Sequence, residues 1–283
     1  MCGLFGAVLP TLYPSEVPVS WCLRFLGVRA EERGQDAAGI AVCRADVGWT
    51  VAKTLGPFRA LCGHRRREQL GLDQALAALG HTRWATQGGR SIAQASPLSA
   101  GPLLCTHNGD LDTVFIPSTT VSADDGSGTD SHHLFQAIAA AHSRGRGLTA
   151  HLVTILSGVR GRAALAWTDT SRADCRIWLA RGGLSPLTVG VDQHGGLWWA
   201  SNPAWLREMA VHAGLQITVT LLPEGTLWVA VPYQRHVRCT MIAEFKPTVR
   251  RRDELIAAVA VWRGFTQEDT TYDQTLLRHR TVA

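Results

Sequence analysis

Strand-length apolar runs crowd the early and late parts of this chain, and most of the helical spacing lies among and between them. Runs of strand character fall at 1–9, 38–45, 49–54, 79–83 and 102–107, and again at 162–168, 175–181, 187–191, 196–200, 215–222 and 226–231. Helical spacing covers 16–28, 66–79, 130–142 and 148–157, with a short helix after Asn202 and a terminal one at 250–263. Asp46-Val47-Gly48 reads as a hairpin turn, 117–129 as a polar Gly/Ser loop and 264–283 as a polar tail. Strands early and late with helices between predict a layered α+β fold. No period repeats along the chain, and neither a G-x-x-x-x-G-K-[ST] phosphate loop nor a dinucleotide fingerprint occurs.

The 283 residues are 46% hydrophobic and 18% charged, which suits a buried core and not a disordered chain. No apolar run reaches the roughly 18–20 residues that a bilayer span needs. The start MCGLFGAVLP lacks the basic region and apolar length of a secretory signal, so a soluble, cytoplasmic protein is expected. The net charge is +5, and only Lys53 and Lys246 are lysines. The runs Arg65–Arg67 and Arg250–Arg252 are each followed at once by an acid, so they read as solvated faces and not as a nucleic-acid surface. The seven cysteines are never closer than 19 positions, which leaves no CxxC pair for metal or redox chemistry. No metal or cofactor is expected, and most thiols read as small buried hydrophobes.

Cys2 is the exception, because it directly follows the initiator methionine. Removal of Met1 would give it a free α-amine with a pKa near 7.7–8.0, far below that of lysine. Such an amine can take the proton of its own thiol, the N-terminal form of nucleophile activation. Four further clusters surround this possibility: RGQDAAGI from Arg33, GHTRWATQGG from Gly80, THNGD from Thr106 and GTDSHH from Gly128. Each has a plain alternative. Asn108-Gly109 is also a common hairpin turn, Asp130 is also a helix-capping acid, and Arg83 also suits a surface ion pair.

In this order, and with MCG at the start, the clusters resemble the glutaminase domain of class II glutamine amidotransferases. GHTRWAT is similar to the glucosamine-6-phosphate synthase version and RGQDAAGI to the amidophosphoribosyltransferase version. LSPLTVG, ASNPAWL and LLPEGTLWV extend the resemblance through residue 231. The resemblance implies a four-layer αββα sandwich of the N-terminal-nucleophile hydrolase type over 1–231. Residues 232–283, with Trp262 and Phe265, are then an extension that docks, closes or folds back. It implies that Cys2 attacks the side-chain amide of L-glutamine, with its own amine as base. Asn108 and the backbone N–H of Gly109 would form the oxyanion hole. Arg83 would hold the α-carboxylate and Asp130 the α-ammonium. Arg33 would support the nucleophile loop, and His81, Trp84 and Thr86 would stand at the pocket.

Departures from the family pattern fall around the lid: His132 stands where an acid is usual, and Gln87 where the sugar synthases often have His. Leu111 to Pro117 runs toward a loop where a helix is usual. Too few residues follow 231 for an acceptor domain, and no SGGxDS motif occurs. The expectation is therefore a stand-alone glutaminase that passes ammonia to a separate acceptor enzyme. Two alternatives remain at this stage: a γ-glutamyl amide hydrolase acting on another small molecule, and an inactive Arg-rich interaction module. Oligomeric state is not legible.

Overall fold

Pro18 decides where the first helix begins. The residue before a proline is disfavoured in the α region, so Val17 cannot be helical, and the helix expected from 16 starts instead at Val19. The computed structural model describes residues 2–85, 91–116, 119–122 and 129–248. Strand β1 (Gly3–Val8) leads to helix α1 (Val19–Ala30), and the hairpin β2 (Ala37–Arg44) and β3 (Gly48–Leu55) turns at Asp46–Gly48 as expected.

The next segment corrects the sequence reading. The helix expected over 66–79 is only α2 (His64–Leu70), stopped by Gly71 at φ +59°, a left-handed conformation that favours glycine. Residues 77–79 belong to β4 (Ala77–Arg83), which lies between β1 and β2. Its Ala/Leu composition favours helix, and burial on both faces of a central strand overrides that preference.

After β5 (Leu98–Ala100), β6 (Leu103–Ile116) runs far beyond the expected 102–107, and β7 (Thr119–Ser122) pairs back on it. Part of the expected 117–129 loop is thus strand, in keeping with its Thr-Thr-Val run; 117–118 and 123–128 lie outside the described residues. Helices α3 (Asp130–Ser143) and α4 (Leu148–Ser157) follow. Then come β8 (Val159–Asp169), β9 (Ile177–Arg181), β10 (Thr188–Asp192) and β11 (Leu197–Ala200). Helix α5 (Pro203–Ala213) is capped by the Asn202 side chain on the Ala204 N–H at 2.9 Å, with Pro203 in its first turn. The chain ends its described part in β12 (Ile217–Leu221), β13 (Thr226–Pro232) and β14 (Val237–Glu244). β14 was not expected. It pairs with β13 along its length, so the boundary expected at 231 falls inside a hairpin. The terminal helix expected at 250–263 lies outside the described residues.

The strands form two antiparallel sheets. One has the order β12-β10-β11-β1-β4-β2-β3, the other β14-β13-β9-β8-β6-β5 with β7 added on β6. Three apolar cores divide the molecule into layers. Leu23 and Leu26 of α1 and Leu206 and Met209 of α5 pack with Phe5, Ile40 and Trp198 on the outer face of the first sheet. Leu134 and Ile138 of α3 and Leu152 of α4 pack with Leu165 and Trp167 on the outer face of the second. Leu4, Leu79, Leu104, Leu179 and Trp199 fill the space between the sheets. Helices, sheet, sheet and helices make the αββα sandwich that the resemblance implied, and β1 stands in the middle of the first sheet. No helix among the described residues is long and apolar enough to cross a membrane.

Candidate active site

Cys2 sits at the head of β1, on the edge of an open cleft. Its Sγ lies 3.9 Å from the Trp84 carbonyl oxygen. Burial pushes the thiol pKa up, against a downward pull from Arg83 and Arg33. The sulfur is therefore not a resting thiolate, and its chemistry needs a base.

The RGQD cluster holds this end of the strand. α1 ends at Ala30, whose carbonyl accepts from the Arg33 N–H at 3.0 Å and the Thr82 hydroxyl at 2.6 Å. That places Arg33 under Cys2, where its Nε donates to the Cys2 carbonyl at 2.8 Å. Burial lowers the Arg33 pKa to about 10, which still leaves it charged at neutral pH. Asp36 holds the neighbouring segment: its N–H donates to the Arg83 carbonyl at 2.9 Å, and its Oδ2 accepts from the Ala85 N–H at 2.8 Å. The turn carrying Arg83 and Trp84 is fixed at both ends by one aspartate.

The second sheet supplies the facing wall. Asn108 and Gly109 are not a turn; they lie inside β6 and pair with Ala164 and Ala163 of β8. A Cβ at Gly109 would stand 1.9 Å from the Arg162 carbonyl oxygen and 2.4 Å from His107 Nε2, so only glycine fits there. Asp130 opens α3 and is buried. Its Oδ2 accepts from the Leu111 N–H at 2.9 Å, and its Oδ1 from the Ser131 N–H at 2.7 Å. An acid in the first turn also meets the positive end of the helix dipole.

The cleft measures about 410 Å³ including the solvent at its mouth, and Cys2, His81, Arg83, Trp84, Gly109 and Asp130 all line it. Six of the nine residues singled out in the sequence are thus brought together. Trp84 is 56% exposed beside the cleft. Arg33 and Asn108 do not line it. Arg33 stands behind Cys2, and the Asn108 Nδ2 donates to the Ser201 hydroxyl at 3.3 Å. Thr86 and Gln87 lie outside the described residues.

Sequence reasoning did not single out Gln94, Ser96, Leu98, His107, Thr129 and Ser131, which complete the lining. His107 and Ser131 flank Asn108 and Asp130 in quoted motifs, and their hydrogen bond, Nδ1 to Oγ at 2.8 Å, ties β6 to α3. Gln94 and Ser96 had no such signal. His81 Nε2 faces the His107 carbonyl at 3.0 Å, so Nε2 carries the proton and Nδ1 is an acceptor. His81 Nδ1 and Gln94 Oε1 are buried and have no hydrogen-bond partner among the described residues. The cleft thus brings together a thiol, a guanidinium and a carboxylate.

No protein-family model matches the chain. It is 31% identical over 199 residues to the glutamine–fructose-6-phosphate aminotransferase (isomerizing) of Streptomyces coelicolor, covering 68% of this chain and 30% of that protein. It is 28% identical over 116 residues to the amidophosphoribosyltransferase of Drosophila melanogaster, covering 39% of this chain and 21% of that protein. Among solved structures, the glutamine phosphoribosylpyrophosphate amidotransferase from B. subtilis matches with a TM-score of 0.55 at 19% identity, over 86% of this chain and 49% of that one. The chain spans about a third or less of the length of these curated relatives. By sequence similarity to these enzymes, and by the fold it has in common with the B. subtilis amidotransferase, the chain is a homologue of the class II glutamine amidotransferases.

Proposed function

We propose that the chain hydrolyses L-glutamine to glutamate and ammonia through Cys2, and that the ammonia is used by a separate acceptor enzyme. The observation that carries this reading is that Cys2, Arg83, Gly109 and Asp130 line one cleft. A guanidinium fork suits a carboxylate, a carboxylate suits an ammonium, and a free α-amino acid carries both at one end.

In this mechanism removal of Met1 exposes the α-amine of Cys2, which takes the thiol proton. The thiolate attacks the side-chain carbonyl carbon of glutamine. The charge that develops on the amide oxygen is met by the Gly109 N–H and the Asn108 amide. The tetrahedral adduct collapses as the protonated α-amine returns its proton to the leaving nitrogen, releasing ammonia and a γ-glutamyl thioester. The same amine then takes a proton from water, which attacks the thioester and frees glutamate and the thiol. Arg33 keeps the Cys2 backbone in place throughout.

Intact-mass analysis before and after treatment with a diazo-ketone glutamine analogue tests the assignment. The expected result is a chain lacking Met1 with one adduct on Cys2. An adduct on Cys43 or Cys105 with Cys2 untouched would remove the mechanism. Hydrolysis of γ-glutamyl amides with large leaving groups, but not of glutamine, would shift the reading to a γ-glutamyl amide hydrolase.

A further inference from the structure

Ser201 stands at the crossing of the two sheets. It follows β11 directly and is fully buried. Its N–H donates to the Leu4 carbonyl at 2.9 Å, and its Oγ accepts from the Leu4 N–H at 2.9 Å. The same Oγ accepts from Asn108 Nδ2 at 3.3 Å. One hydroxyl therefore joins the strand that carries Cys2 to the side chain of Asn108 on the opposite sheet.

The oxygen and nitrogen ends of an asparagine amide are nearly the same shape, and only a hydrogen-bond partner distinguishes them. Ser201 Oγ has two acceptor sites and one proton of its own to donate. The Leu4 N–H fills one, and the second meets the Nδ2 end of Asn108. The NH₂ group has two protons at a fixed angle, so one bound to Ser201 leaves the other directed away from it. We propose that Ser201 is a positioning residue: its hydroxyl sets the Asn108 amide with nitrogen toward β1, so that the second N–H is presented to the oxyanion. This rests on the glutaminase reading for its catalytic consequence, but not for its geometry. Because Oγ also anchors Leu4, donor and nucleophile are registered to one atom.

Ser201→Ala removes the hydroxyl, and Ser201→Thr keeps it. The expected result for Ser201→Ala is a fall in kcat of about 10-fold or more, within the roughly 10²–10³-fold lost with a whole oxyanion donor, at a KM changed less than about threefold. Affinity for a γ-aldehyde analogue of glutamine, whose adduct on Cys2 places an oxygen in the same hole, should fall by the same factor as kcat. Ser201→Ala in an Asn108→Ala background should cost little more, because the two act as one unit. Ser201→Thr should restore turnover. A second readout needs no turnover: the Asn108 side-chain NH₂ signals, followed by ¹⁵N NMR, should exchange slowly in the parent and the Thr variant and faster in the Ala variant. Parent-like kcat in folded Ser201→Ala, or fully additive losses in the double variant, would overturn the proposal. So would unchanged NH₂ exchange, even if the parent proved unable to hydrolyse glutamine; that last outcome alone would sink only the glutaminase reading.

Discussion

Arg33 Nε donates to the carbonyl oxygen of Cys2 at 2.8 Å, across 31 positions of sequence. The bond fixes the backbone of Cys2, the proposed nucleophile, without touching its sulfur. Arg33→Gln should therefore lower glutamine turnover by about 10-fold to 100-fold, the scale on which displacing a reacting group acts. Glutamine KM should change little, since Arg33 does not line the cleft. Steady-state ammonia release, with the folded fraction checked by circular dichroism, measures this; unchanged kcat would show that the bond is dispensable.

Asn108→Ala is expected to lower kcat by roughly 10²-fold with a smaller effect on KM. Arg83→Ala should do the reverse, because its proposed target is remote from the scissile amide. Asp130→Asn is a better probe than Asp130→Ala. Asp130 accepts from the Leu111 and Ser131 N–H groups, so alanine should also cost about 1–3 kcal/mol of stability. The asparagine variant should raise KM while unfolding near the parent's urea midpoint.

Gly109→Ala should be both unstable and inactive. The added carbon would meet the Arg162 carbonyl, which belongs to the paired strand β8 and cannot swing aside. Overpacking of this kind costs about 1–3 kcal/mol. A urea melt and an ammonia assay on the same sample check it, and a variant of parental stability would mean that β6 is not paired as described.

Acid should unfold this protein partly through His81. Burial lowers its pKa to about 3 in the folded state, against about 6.5 in an unfolded chain. The unfolded state takes the proton first, so the stability tied to neutral His81 is complete above pH 6.5 and falls as the pH drops toward 3. At pH 4.5 the loss is about 3 kcal/mol by that difference in pKa. His81→Gln removes the titration, and its unfolding free energy should fall about 3 kcal/mol less than the parent's between pH 7 and 4.5. Equal pH sensitivity of the two in urea melts would contradict a buried neutral His81.

The parts legible in the sequence were those with a strong local pattern. The apolar face of α1, the α3 start at Asp130 and the hairpin at Asp46–Gly48 each declare themselves over a few residues. β4 did not, because Ala77, Ala78 and Leu79 are helix formers whose strand conformation comes from β1 and β2 on either side. Asn108-Gly109 had a turn's spelling, and only pairing with β8 puts it inside a strand. β14 escaped although Val237, Cys239 and Met241 alternate with Arg238 and Thr240, because that alternation is short and breaks at Ile242. In the site, side chains with a distinctive chemistry were found early, whereas Ser201, Gln94 and Ser96 are ordinary polar residues whose importance lies in what faces them.

β1 is the first of the described strands in chain order, yet one of its two sheet neighbours is the eleventh. Phe5 pairs with Gly80 of β4 on one side and with Ala200 of β11 on the other. Contacts of such long sequence separation form slowly, because the chain entropy of a large loop is lost before any contact is gained. The thiol of Cys2 is thus made well before Arg83, Gly109 and Asp130 are brought beside it in the cleft. A ribosome stalled before β11 would carry a chain with Cys2 present and its first sheet open at the centre. Assembly of that sheet, rather than the chemistry of cysteine, sets the moment at which the site comes into being.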